Sequence, residues 1–174
     1  VKEVTENLDK FELGLAEQKI YDFVWDVLCD WYIELTKSRV QSGGETAVYA
    51  QRVLVFLISN TVKLLHPFMP IITEEIWQAL PTDTESIMKA SWPVYDAALD
   101  FSEEERAFAR VMEAIRAIRN TRTEMNVPPS RKAAVYIATD FEQVFRDCAP
   151  FFERLASASG VSVAREQAVE GAVQ

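Results

Sequence analysis

Apolar side chains recur at three- and four-residue intervals in three long stretches of this chain, and each stretch predicts an amphipathic helix. The first runs from Gln18 to Ser38, with Ile20, Val24, Val27, Trp31 and Leu35 as its stripe and Phe23 and Leu28 beside it. The second runs from Thr46 to Leu65 and turns Ala47, Ala50, Leu54, Leu57, Ile58, Thr61, Leu64 and Leu65 inward. Gln41-Ser42-Gly43-Gly44 breaks the chain between them. The third starts at Ser102, which with Glu105 matches a capping box. It carries Phe108, Val111, Met112, Ile115 and Ile118 until Val127-Pro128-Pro129 stops it. Residues 1–18 are polar and weakly patterned.

Between the second helix and residue 80 lies a corner, Leu64 to Trp77, with Pro67 and Pro70 in it. Proline lacks the backbone N–H and biases the preceding residue away from helix, so the incoming helix should end near His66. Pro70 is suited to open a short helix to about Leu80, with Glu74 and Glu75 in its early turns. Phe68, Met69, Ile71, Ile72, Ile76 and Trp77 are too apolar for a solvated loop, so the corner is expected to be buried among helices.

Residues 81–100 read as irregular, with a short extended segment from Ser86 to Trp92. After the double proline the pattern changes. Ala133–Ala138 alternates like a strand, and residues 140–159 read as helix with a kink or a division at Pro150. Gly160 is placed as a C-terminal cap, and Val161 and Val163 form a second short strand. The expected fold is mainly α: a helical bundle over residues 1–128 followed by a small strand–helix–strand α/β appendage over 129–174. Two short strands make a thin sheet, so a further strand is expected to be cut away or supplied elsewhere. Val1 opens the chain without an initiator Met, which fits a piece of a longer protein.

Composition is that of an ordinary globular protein, 49% apolar and 26% charged, with only 5 glycines. No apolar run is read as approaching the roughly 20 residues of a membrane span, so no membrane partner is expected. Cys29 and Cys148 fit no metal or redox spacing and read as two reduced thiols of a cytoplasmic protein. One histidine, His66, excludes a His-rich metal site and reads as a capping or packing residue. A Cys29–His66 nucleophile pair would lack a third, orienting group. Neither a GxxxxGK[ST] loop, a GxGxxG turn nor a GxSxG elbow occurs. Asp22, Asp26 and Asp30 read as a solvated acidic face.

The net charge of −9 argues against general affinity for nucleic acid, which would need a local basic patch. One exists in sequence. Arg116, Arg119 and Arg122 follow at three-residue spacing, and Arg131 and Lys132 complete five positive charges in 17 residues. Arginine suits phosphate and base edges. Pairing of these arginines with the acidic face of the first helix fits the same spacing. Lys37 and Arg39, with Arg52 and Lys63, would extend a basic strip or be ordinary surface charges. Phe23, Trp25, Trp31 and Tyr32 are stacking candidates by type, although most are expected in the core.

Three segments together carry a resemblance. They are Phe23-Val24-Trp25-Asp26 with Cys29-Asp30-Trp31-Tyr32; Leu65-His66-Pro67-Phe68-Met69-Pro70 with Thr73-Glu74-Glu75-Ile76-Trp77; and Ile115-Arg116-Ala117-Ile118-Arg119-Asn120, then Arg122, then Glu124-Met125-Asn126-Val127-Pro128-Pro129. In this order they resemble the anticodon-binding region of class I aminoacyl-tRNA synthetases, and the first and third look most like the bacterial valyl branch. The resemblance implies a bundle that holds the anticodon stem-loop of a valine-specific tRNA, within a parent chain whose catalytic and editing domains lie elsewhere. It implies no cofactor for this chain, ATP and Mg belonging to the catalytic domain, whose His-Ile-Gly-His and Lys-Met-Ser-Lys-Ser signatures are missing here. A coiled-coil arm follows in that family. The RNA-facing candidates, taken from charge clustering, are Arg116, Arg119, Arg122, Lys37 and Arg39. An acidic helical protein-interaction domain without RNA binding is the alternative.

Overall fold

The computed structural model describes residues 1–128 and 130–166. Pro129 of the expected helix stop and residues 167–174 of the appendage lie outside the described residues. The fold is mainly α with a small parallel sheet. The chain divides into two compact units, Val1–Ala97 and Ala98–Gln174. The third long helix thus sits in one unit with the strand–helix–strand piece, whereas the sequence reading groups it with the bundle.

The first unit begins with two helices where the pattern is weak, α1 (Lys2–Asp9) and α2 (Leu13–Asp22). Val4 is the one buried residue of α1, too little to generate a legible stripe. It joins Ala16, Ile20 and Leu64, with Leu8, Val24, Leu65 and Phe68 packed around them. Phe11, between the two helices, takes a left-handed φ of 59°, uncommon for a bulky side chain.

From α2 the chain continues without a break through a π-helical segment, Phe23–Ile33, into α3 (Glu34–Ser42). The wider i→i+5 winding moves the buried stripe. Leu28 and Trp31 are buried, whereas Val27, expected inward, is 43% exposed. Gly43 and Gly44 then adopt φ of 72° and 79°, which glycine takes at no steric cost.

Helix α4 (Glu45–Leu65) packs against α2, α3 and α5 (Pro70–Ala79). By length and composition α4 is long and apolar enough to cross a membrane, contrary to the sequence reading. Its buried Ala47, Ala50, Thr61, Val62 and Leu64 are spent on the unit's own packing. As expected, α4 ends at Leu65 with His66 as its C-cap, and Pro70 opens α5.

The corner itself is not buried. Of its six large apolar side chains only Trp77, 4% exposed, is in the core, where it meets Val62 and Ile87. Met69, Ile71, Ile72 and Ile76 are exposed and Phe68 is half-buried. The turn closes through polar bonds instead. His66 Nδ1 lies 2.7 Å from Thr73 Oγ1, and that hydroxyl donates to the Met69 carbonyl at 2.7 Å. A hydroxyl has one proton to give, so in this contact the ring Nδ1–H is the donor and the hydroxyl oxygen accepts. His66 is therefore a capping and packing residue.

The expected extended segment at Ser86–Trp92 is instead a 3₁₀ turn at Ile87–Lys89. The Glu74 carboxylate fixes it, accepting from Ser86 Oγ at 3.0 Å and the Ile87 N–H at 3.2 Å. Trp92 donates its indole N–H to Thr5 Oγ1 at 3.0 Å, tying the following loop to α1.

In the second unit, α6 (Ser102–Glu124) buries Val111 and Ile115. The capping box does not form: Phe101 is the N-cap, and Ser102 is already helical. β1 (Ala133–Ala138) has the expected bounds. Pro150 divides the next helix into α7 (Glu142–Asp147) and α8 (Ala149–Leu155), since proline is tolerated only in a first turn. Gly160 is no cap. The left-handed residue after α8 is Ser157, φ 54°, and Gly160 lies inside β2 (Ala158–Ala164). β2 pairs in parallel with β1, Val135 opposite Val161 and Ile137 opposite Val163. Phe108 meets Phe151 edge-on with ring centres 6.1 Å apart, holding α6 against α8.

Candidate nucleic-acid interface

The charge is unevenly divided. Residues 1–97 hold eight basic against fifteen acidic side chains, net −7, and residues 98–174 ten against twelve, net −2. Within the second unit, residues 116–132 hold five basic side chains against Glu124 alone. This tract comprises the last turns of α6, the turn after it, and the approach to β1.

Helical geometry separates the arginines. At about 100° per residue, Phe108, Val111, Ile115 and Ile118 lie on one stripe, and Arg122 falls in the middle of its continuation. Arg116, Asn120 and Thr123 occupy a different sector, roughly a third of a turn away, and Arg119 lies at the edge of the stripe on that side. Burial agrees: Val111 and Ile115 are buried, Ile118 and Arg122 half-buried, and Arg116, Arg119, Asn120 and Thr123 exposed.

Arg119 extends into solvent with no side-chain partner among the described residues. Arg122 is engaged: its Nη2 donates to the Pro128 carbonyl at 3.1 Å and also to the Arg131 carbonyl. Arg131 and Lys132 are exposed at the start of the approach to β1.

Between them, α6 ends in a Schellman turn. The Val127 N–H bonds to the Arg122 carbonyl at 2.8 Å and the Asn126 N–H to the Thr123 carbonyl at 3.0 Å. Asn126 supplies the left-handed residue at φ 52°, a position that favours Gly and then Asn. Met125, 54% exposed, and Asn126 form the exposed tip.

The remaining candidates lie in the first unit. Lys37 is ion-paired with Glu34, one turn before it on α3. Arg39 is exposed, and its charge opposes the burial that raises the pKa of the Tyr32 phenol. The aromatic candidates divide differently from expectation. Trp31 is buried and Tyr32 half-buried, whereas Phe23 and Trp25 are exposed, and Trp25 lies 6.1 Å from Tyr21. Sequence reasoning did not place Met125 and Asn126 at an exposed tip, nor the Arg122 guanidinium on the carbonyls of Pro128 and Arg131. The second was signalled by the place of residue 122 on the apolar stripe.

Among the described residues no cluster of three or more His, Cys, Asp or Glu is arranged to hold a metal ion. Both cysteines are free thiols, and burial beside Asp147 raises the pKa of Cys148, so it is not an activated nucleophile.

The family model described as the anticodon-binding domain of tRNA ligase matches residues 1–137. Similar curated proteins include the valine–tRNA ligase of Clostridium perfringens, 49% identical over 93% of this chain and 19% of its own length. That of Clostridium tetani is 47% identical over 99% of this chain and 20% of its own length, and that of Geobacillus stearothermophilus 45% over 83% and 16%. The chain therefore spans about a fifth of the length of the curated relatives it matches. Matched over most of its length, including α6 and its basic tract, the chain belongs to the family of anticodon-binding domains of tRNA ligases.

Proposed function

We propose that this chain is the module through which a valine–tRNA ligase holds the anticodon stem-loop of its tRNA. The observation that carries the reading is the exposed basic tract at the end of α6, standing on an acidic protein inside the region that matches the family. Unstacked loop bases offer faces and polar edges to side chains, while Arg and Lys meet phosphate. An acidic surface elsewhere repels RNA and favours one orientation. Arg116 and Arg119 are the leading contacts, with Lys37 and Arg39 secondary.

In this reading the helices up to residue 128 form the anticodon-binding part and residues 129–174 an appendage to it. ATP, Mg, valine and editing belong to other domains of the same parent chain, in the cytoplasm. This module contributes position rather than chemistry: correct anticodon binding would place the distant acceptor end.

Titrating the chain with valine-specific tRNA and with an unrelated tRNA tests this. The valine-specific tRNA should bind more tightly, and binding should weaken steeply with salt. Equal, negligible binding of both would contradict the reading. A protein-interaction domain without RNA binding is the second reading, favoured by the exposed Val48, Tyr49, Val53 and Phe56 of α4.

A further inference from the structure

The three arginines of α6 share a spacing but not an environment. Arg122 is used twice at the same turn. Its backbone carbonyl accepts the Val127 N–H, and its guanidinium reaches past the turn to the carbonyls of Pro128 and Arg131. The Pro128 carbonyl also accepts the Arg131 N–H at 3.0 Å. Arg122, Pro128 and Arg131 are thereby tied to one another, and Met125 and Asn126 are left exposed at the tip. A surface held in one shape before its ligand arrives loses less entropy on binding. Arg119, exposed one turn earlier, carries a charge that no described residue neutralises.

We propose that Arg122 is a positioning residue, which fixes the Met125–Asn126 tip as a preformed contact surface for RNA, and that Arg119 is the cation that meets phosphate. The inference rests on the tRNA-binding reading above. Arginine is needed at 122 because both bonds leave the terminal Nη2, one bond farther from Cα than the ammonium nitrogen of lysine reaches.

Salt dependence distinguishes the two roles, because each phosphate contact contributes about 0.7 to the slope of log K against log salt for a single strand. Valine-specific tRNA would be titrated over a salt series with the wild-type chain and with Arg119→Ala, Arg122→Ala and Arg122→Lys. Amide hydrogen exchange at Val127 and Arg131 would be followed in parallel.

Arg119→Ala should flatten the slope by about 0.7 and leave both amides protected. Arg122→Lys and Arg122→Ala should keep the wild-type slope, weaken binding about fivefold through lost preorganisation, and speed exchange at both amides. Wild-type affinity in Arg122→Lys, with a flattened slope in Arg122→Ala and unchanged exchange, would make Arg122 a phosphate contact and overturn the assignment alone. No binding by the wild-type chain at any salt would overturn the tRNA reading and this inference together.

Discussion

Two helix ends carry most of the residues by which the family is recognised, and they are closed by different means. At the end of α4, His66 and Thr73 bond to each other, Glu74 clamps the Ser86–Ile87 turn, and Trp77 fills the space beneath. At the end of α6, a Schellman turn through Asn126 is reinforced by one guanidinium that donates to backbone carbonyls. The first turn leaves an apolar surface, with Met69, Pro70, Ile71 and Ile72 beside Glu75 around an open hollow. The second leaves a basic one. A conspicuous motif can therefore serve architecture, while the exposed basic tract lies at a less conspicuous helix end.

The largest break in this comparison should come from Trp77→Ala. It removes a buried indole from the contact with Val62 and Ile87 and frees the Thr84 carbonyl that the indole N–H bonds at 3.2 Å. Urea unfolding should show a loss of about 3–5 kcal/mol, the usual range for aromatic truncation in a core. Among the described residues no comparably buried aromatic closes the α6 turn, so substitutions there should act on binding more than on stability.

Thr73→Val tests the polar half of the corner. The residue is 1% exposed, and valine keeps its shape but leaves the His66 Nδ1–H without its acceptor. The expected loss is about 1–3 kcal/mol, measured the same way. A neutral result would show that the corner stands on packing alone.

The smallest effect should be a pH dependence at Glu74. Hydrogen bonds from Gln78 above all, then from Ser86 and the Ile87 N–H, with the charge of His66, hold its carboxyl below the ordinary glutamate value. A depressed folded value means that the ionised form is favoured in the folded state. Its contribution is present above the ordinary value of 4.5 and is lost as pH falls through the lower, folded one. Glu74→Gln should remove that part of the acid-side loss in thermal melts between neutral and acidic pH.

Much of this was legible because local chemistry and packing agree. The glycines at 43 and 44, the stop at His66, the start at Pro70 and the bounds of β1 all follow from residue type alone. Of the features that were not legible, three have a plain physical reason. Val27 and Leu28 exchange places because π winding changes the period that pattern reading assumes. The corner's apolar residues were read as buried because hydrophobicity says what a side chain prefers and not what surface is available to cover it. Arg122 was grouped with its neighbours by charge, although its place on the stripe of Val111, Ile115 and Ile118 marked it as inward.

The central claim, that this domain reads an anticodon loop, is tested most directly with RNA hairpins rather than whole tRNA. A stem-loop carrying the valine anticodon and one with the same stem and a scrambled loop would be titrated into the chain at one moderate salt. The account predicts tighter binding of the authentic loop. Equal affinity for the two hairpins would reduce the basic tract to a phosphate-binding surface and contradict it.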